Sequence, residues 1–352
     1  MVKKKCFMPA GLRLIGYTLL VSIFLTIGTF GYAGESAALI EGAKKEGKVV
    51  YYTGMTLNPD VVTLVRDFET KYPFLKVIVL RMSGENLLTK ALLEASAKRL
   101  QADIFQASIV EVSHMKEKKL LRKYIGPESQ AYGTKFRDPE GFWNATYILP
   151  YVITYNTKLV PKQDAPKTYE DLLNPKWKGK IGIESQELQW FFHLLKIMGR
   201  EKGVAYMKQL ATQNLSFRSG HPLLNTLCAS GEIPIVVVGY LNEVEVLKSQ
   251  GASIDWVNFG ALPTITAINA ISLVATAPHP NAAKLFYNFA ISHEGARALK
   301  KSLRIPARQD EQPPDFGGMN LYPAFPDELL ANYKQVVKEW EEIFNPQKGP
   351  QN

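Results

Sequence analysis

Cysteine is almost absent. The 352 residues hold two, Cys6 and Cys228, and a cleavage point read below separates them. The mature chain can form no internal disulfide, so its stability must come from packed cores. Histidine is scarce as well. His114, His193, His221, His279 and His293 are scattered, with no metal-ligand spacing. No G-x-S-x-G elbow, no H-E-x-x-H and no phosphate loop ending in Gly-Lys-Ser/Thr occurs. Ser83, Ser185 and Ser219 each precede a predicted helix, where capping explains them. As nucleophiles they would need a base beside them, and none is visible. These absences argue against an enzyme. No long Lys/Arg run is present, so nucleic acid is not an expected partner. No repeat of about 20–50 residues is visible, which excludes a solenoid or a propeller.

What is present begins with an unusual start. Lys3, Lys4, Lys5 and Arg13 precede an uncharged, largely apolar run from Ile15 to Phe30, and Gly31-Tyr32-Ala33 offers small residues at the positions that signal peptidase reads. Residues 1–33 read as a secretory signal peptide and are set apart from the fold. The alternative, an uncleaved anchor, would need a longer apolar span. Cys6 lies before the apolar run and so is not placed as a lipoprotein cysteine. Without these four cations the formal charge falls from +9 to +5. A periplasmic location follows. The full sequence is 46% hydrophobic and 21% charged, an ordinary globular composition, and the mature chain is long enough for two cored domains.

The body alternates strand and helix. Strands are predicted at Lys48–Thr53, Leu75–Leu80 and Ala102–Phe105. Between them come a helix capped at Asn58-Pro59 and another opened by Ser83-Gly84. This order predicts an α/β fold with a parallel or mixed sheet covered on both faces. Two strand-like runs, Trp143–Tyr147 and Tyr151–Tyr155, flank Pro150. Thr168 and Asp171 then form a capping-box start. Further strands are expected at Lys180–Ile183, Asn214–Phe217, Ile233–Val238 and Ile254–Val257, with a return strand at Ala270–Val274. Ser185 is expected to cap the helix carrying Leu188 and Phe191. Pro280 and Ser292 start two more helices, and a charged helix lies near Glu328–Phe344. Cys228, in the pattern Leu223, Leu224, Leu227, Cys228, reads as buried helix; a reactive thiol is the alternative. Tyr51-Tyr52 lies inside the first strand and reads as packing on its two faces.

One pattern recurs. Strands end in Thr53-Gly54, Ser83-Gly84, Ala107-Ser108, Ser185-Gln186, Ser219-Gly220 and Gly239-Tyr240. Small or hydroxylic residues at helix starts leave backbone N–H groups free for a ligand, and the helix dipole favours negative charge there. Such corners are where open α/β sheets bind ligands.

The stretch Thr168-Tyr169-Glu170-Asp171-Leu172-Leu173-Asn174-Pro175-Lys176-Trp177-Lys178-Gly179-Lys180-Ile181 resembles the periplasmic solute-binding proteins of ABC importers, in the type II group that includes ferric-iron binders. Tyr155–Leu159, Ala277–Ala283, Ser292–Gly295 and Arg304–Arg308 support the resemblance, which covers roughly residues 40 to 310. It implies a two-lobed fold, each lobe a mixed sheet flanked by helices, with a ligand cleft at a two-strand hinge. On that reading lobe 1 comprises residues 34–150 and 264–305, lobe 2 residues 151–263, and residues 306–352 a C-terminal extension. The implied partners are a small-molecule solute and an inner-membrane ABC permease. A monomer without a cofactor is implied too.

The resemblance also separates fold from ligand. Iron-binding members usually carry a tyrosine pair at the corner that here reads Gly239-Tyr240-Leu241. They often place a histidine after the first strand, where this chain has Thr53-Gly54-Met55-Thr56. Arginines before the crossing strand are replaced by Leu149-Pro150-Tyr151. No metal site is therefore expected. The expected ligand contacts are Thr53, Gly54, Met55, Ser83, Gly84 and Ser108 from the first lobe, and Tyr151, Ser185, Arg218 and Tyr240 from the second. Arg218 is the candidate anion clamp; its alternative is a surface ion pair. Met55, Tyr151 and Tyr240 would add apolar wall. The expected function is capture of a small organic, anionic solute by lobe closure. The alternatives are a ferric-iron receptor, a secreted enzyme on this fold, and a sensory receptor.

Overall fold

A computed structural model describes residues 35–55, 57–257, 262–312 and 319–344. The proposed signal peptide lies outside the described residues. In chain order the first elements are α1 (Ala37–Glu46), β1 (Lys48–Thr53), α2 (Val62–Lys71), β2 (Lys76–Arg81), α3 (Gly84–Ser96), β3 (Ile104–Ser108), α4 (Ile109–Glu117) and β4 (Leu121–Arg122). The middle holds β5 (Asn144–Asn156), β6 (Ile181–Glu184), α5 (Leu188–Met198), α6 (Arg200–Ala211), β7 (Ser216–Arg218), α7 (His221–Ser230), β8 (Ile235–Tyr240), α8 (Leu241–Ser249) and β9 (Ile254–Val257). Then come β10 (Thr264–Val274), α9 (Pro280–Ala290), α10 (His293–Lys301), β11 (Ile305–Pro306), β12 (Leu321–Pro323), α11 (Pro326–Ala331) and α12 (Tyr333–Phe344).

The sheet is mixed, as the alternation predicts. Its path runs β2-β1-β3-β10-β5-β8-β6-β7. β1 is parallel to β2 and β3, while β6 is parallel to β7 and β8. Between these parallel sets stand two long antiparallel strands, β5 and β10. β5 belongs to both halves. Its residues up to Pro150 pair with β10, and from Tyr151 it pairs with β8, then with β9. The sequence splits this stretch into two strands around Pro150; the structure makes it one strand. Proline lacks an N–H for a ladder, and Pro150 sits at the residue where β5 changes partners, so the missing donor does not interrupt either half.

Local chemistry explains most boundaries. The Thr168–Asp171 capping box is reciprocal: Asp171 N donates to Thr168 Oγ1 at 3.1 Å and Thr168 N to Asp171 Oδ2 at 3.0 Å. Pro280 opens α9 at its first position, and Ser292 Oγ accepts from Gly295 N to cap α10. Four expected caps differ: Ser83 makes no side-chain cap on α3, and Gly220, not Ser219, stands at the start of α7. Pro59 lies in a π-helical turn, Leu57–Val61, ahead of α2. Ser185 does not cap α5, which starts after Glu187; Ser185 instead turns its Oγ to Glu184.

Around the first half of the sheet, Tyr51, Phe68 and Phe286 pack ring on ring at 4.8–4.9 Å. Tyr51 and Tyr52 do face opposite sides: Tyr51 packs on Phe286 of α9, and Tyr52 donates to Glu94 of α3. The second half has a core on each face. Ile235, Val237 and Trp190 serve one face, and Val236, Leu224 and Cys228 the other. Burial pushes the Cys228 thiol up to about 12, which fits the packing reading and not a reactive thiolate. The C-terminal helix α12 lies on the second half, where Trp340 and Phe344 close on Phe191 at 5.4 and 6.1 Å. Among the described residues no helix is long and apolar enough to cross a membrane.

Candidate functional site

The parallel strands β1, β2 and β3 all end at one place. Their register sets Thr53 opposite Arg81 and Gln106. A side chain built on Gly54 would meet the Cα atoms of Gly84 and Ala107 at 3.7 and 3.8 Å. Thus the Thr53-Gly54, Ser83-Gly84 and Ala107-Ser108 corners converge. Thr53 is buried and its Oγ1 accepts from Met55 N at 3.1 Å. Met55 is buried too; its sulfur accepts from Tyr51 Oη and its carbonyl from Arg81 Nε. Ser83 is exposed and makes no side-chain cap. Ser108 caps α4 through Val110 N and donates to Glu111. The Glu111 carboxylate lies against Gly84, 2.6 Å from where a Cβ would stand.

The second corner is built from larger side chains. Tyr151 ends the hand-over in β5 and pairs with Tyr240 of β8 across the ladder. Their rings stand 5.4 Å apart. Beside Tyr240, Gly239 lets β8 lie against Thr154 and Asn225, because a Cβ there would stand 2.4 Å from Thr154 Cγ2 and 2.8 Å from Asn225 Oδ1. His221, the first residue of α7, stacks on Tyr240 at 3.8 Å. Glu187, at the start of α5, accepts from Tyr151 Oη at 3.0 Å and holds His221 Nε2 at 2.9 Å. His221 Nδ1 faces the Val238 carbonyl at 2.9 Å. Both ring nitrogens therefore face acceptors, which suits the doubly protonated imidazolium. Burial works against that charge, but Glu187 outweighs it, and the His221 pKa is raised. Burial, then the Glu187 carboxylate, pushes both phenols well above their ordinary value.

Other carboxylates fill the nearby helix starts. Glu184 accepts from Gly220 N at 2.6 Å and from Ser185 N and Oγ at 3.1 Å. Arg218 has partners of its own: its Nη1 donates to the Phe217 carbonyl, and Nη2 stands 3.8 Å from Glu232. Its side chain is 41% exposed. Arg304 is bonded to Asp60 at 2.8 Å and lies over the Tyr147 ring at 5.2 Å.

Of the ten expected residues, the structure joins Gly54, Gly84 and Ser108 in one corner and Tyr151 with Tyr240 in another. It gives Arg218 and Ser185 separate contacts. Sequence reasoning missed Glu187, His221, Glu111, Glu184 and Arg304. His221 directly follows Gly220 in one of the recurring corners, and that position was the available signal. Tyr240 has Tyr151 beside it, 89 positions away by sequence number and a neighbour through the ladder. Among the described residues no group of three or more His, Cys, Asp or Glu is placed to hold a metal.

The model of bacterial extracellular solute-binding proteins matches residues 102–322 of this chain. The major ferric iron-binding protein of Neisseria meningitidis serogroup B is 21% identical over 76% of this chain and 83% of its own length. Among solved structures, the periplasmic binding protein AfuA of Actinobacillus pleuropneumoniae, with fructose-6-phosphate bound, superposes with a TM-score of 0.71. It is 25% identical and covers 85% of this chain and 99% of its own. Iron-bound HitA of Pseudomonas aeruginosa superposes with a TM-score of 0.71 at 18% identity, covering 84% of this chain and 99% of its own.

Proposed function

The chain belongs to the bacterial extracellular solute-binding proteins, and from that premise we propose that it captures a small organic, anionic solute by lobe closure and hands it to an ABC permease. Its fold is the two-lobed type II periplasmic-binding-protein fold. The lobes we assign are residues 34–150 with 264–305, and 151–263, with the cleft at the β5/β10 crossing. The role is that of a periplasmic receptor and not of an enzyme.

One observation carries the ligand reading: the wall of Tyr151, Tyr240 and His221 at the strand crossing. Stacked rings beside a few polar groups make a site for an organic molecule. Arg218, with its side chain 41% exposed, is the counter-charge for the anion, since the His221 imidazole is already paired with Glu187. The helix starts are a weaker port for an anion, because Glu111 and Glu184 already sit there. The relative solved with fructose-6-phosphate is of this ligand class.

A second reading has its own observation. Two phenols, a carboxylate and an imidazole converge at Tyr151, Tyr240, Glu187 and His221. Hard oxygen donors suit Fe³⁺, and several relatives are iron binders by name. Burial of the phenols opposes their ionisation until a cation arrives.

Native mass spectrometry of the mature protein, purified without refolding, with metal analysis on the same sample, separates the two. A retained organic mass without iron is the expected result. Stoichiometric iron would replace the organic reading with the ferric one.

A further inference from the structure

Arg304 stands between α10 and β11, and three of its contacts point in different directions. Nε and Nη2 both lie 2.8 Å from Asp60 Oδ2. The guanidinium plane lies over Tyr147, in the β10-paired half of β5. The third contact leaves this neighbourhood. Asn242, with its amide oxygen turned toward Arg304, takes Nη1 at 2.7 Å and the Glu243 N–H at 3.2 Å. Asn242 lies in the first turn of α8, two residues after Tyr240, and α8 belongs to the β8 half of the molecule. Glu243, next to it, is held by Asn225 Nδ2 at 3.2 Å.

We propose that Arg304 is a positioning residue that clasps the two lobes, anchored on Asp60 and Tyr147 in one and setting the Tyr240 corner of the other through Asn242. This rests on the reading that the lobes close on a solute. The two ends of the clasp differ in kind. Asp60 is 2% exposed and the Arg304 side chain 13%, so their charge pair is a permanent anchor: separating it would strand a buried charge. The contact to Asn242 has a neutral acceptor and is the weaker of the two. A strong hold inside one lobe and a breakable hold across the seam allow the lobes to part without unfolding either. Arginine suits the task because its planar fork offers donors along separate directions, which lysine does not.

Small-angle X-ray scattering of the mature protein tests the clasp without needing the ligand. Asn242→Ala is expected to raise the radius of gyration while leaving the unfolding midpoint near wild type. Asn242→Asp, which returns an acceptor to the same guanidinium, is expected to keep the wild-type radius. Arg304→Gln is expected to raise the radius and lower the midpoint, because it also strands Asp60. The clasp is overturned if Asn242→Ala keeps the wild-type radius, or if Asn242→Asp expands as far as Asn242→Ala. None of these outcomes depends on whether the solute is organic or ferric, so a failure here is distinct from a failure of the ligand reading.

Discussion

The corner at the ends of β1, β2 and β3 and the corner at Tyr240 do similar topological jobs with different materials. At the first, backbone approaches backbone: Gly54, Gly84 and Ala107 lie within van der Waals contact, with the Glu111 carboxylate against Gly84. At the second, two tyrosines, a histidine and a glutamate lock ring to ring and charge to charge. On the proposed function, the first corner would contribute shape and peptide groups and the second the selective chemistry. The difference also means that the second corner should be far more sensitive to substitution.

The largest effect is expected at Glu187. Glu187→Ala removes the carboxylate that favours the His221 charge, so the buried imidazole gives up its proton and Nε2 loses its partner. The Tyr151 hydroxyl keeps only the longer contact to Gln189 at 3.3 Å. Two weakened buried hydrogen bonds, at about 1–3 kcal/mol each, should make this the largest loss in urea unfolding. Next, the glycines divide the corners. Gly239→Ala drives a methyl into Thr154 and Asn225 and should cost about 1–3 kcal/mol. Gly84→Ala meets only the end of the Glu111 side chain, which can swing away, and should stay within about 1 kcal/mol of wild type. Equal losses at the two glycines would erase the comparison.

A smaller effect should depend on pH. The folded-state pKa of His221 is raised, through Glu187. Its contribution is therefore full below the unfolded value of about 6.5 and is lost as pH rises through the folded value. The stability gap between wild type and His221→Gln should shrink from pH 6 toward alkaline pH; a gap that widens would show the imidazole to be neutral. The smallest effect is expected at Arg218. With a half-exposed guanidinium 3.8 Å from Glu232, Arg218→Ala should change stability by less than about 0.5 kcal/mol. Once the solute is identified, titration calorimetry of this variant decides whether Arg218 also reaches the ligand.

Much of the frame was legible because it is local. Lys48–Thr53 and Ile254–Val257 are apolar, β-rich runs, and both strands form there. Thr168 with Asp171, Pro280 and Ser292 mark element starts through chemistry that acts within a turn. The recurring corners were legible for the same reason. Pro150 was misleading because its cost depends on whether a ladder needs its N–H, and that is decided by the partner strand. Ser185 was misleading because a nearer carboxylate, Glu184, takes its hydroxyl.

By itself the sequence determined the alternation of strands and helices, the glycines at strand ends and the family pattern around Thr168–Ile181. Periodicity, caps and turns are written in neighbouring residues. Tertiary structure alone decided that Tyr240 has Tyr151 as its partner, that Glu187 raises the His221 pKa, and that Arg304 reaches from Asp60 to Asn242. Each of these joins residues brought together by a strand register or by a helix packed on the sheet. Such contacts have no period along the chain, and their energies depend on burial that only the completed fold supplies.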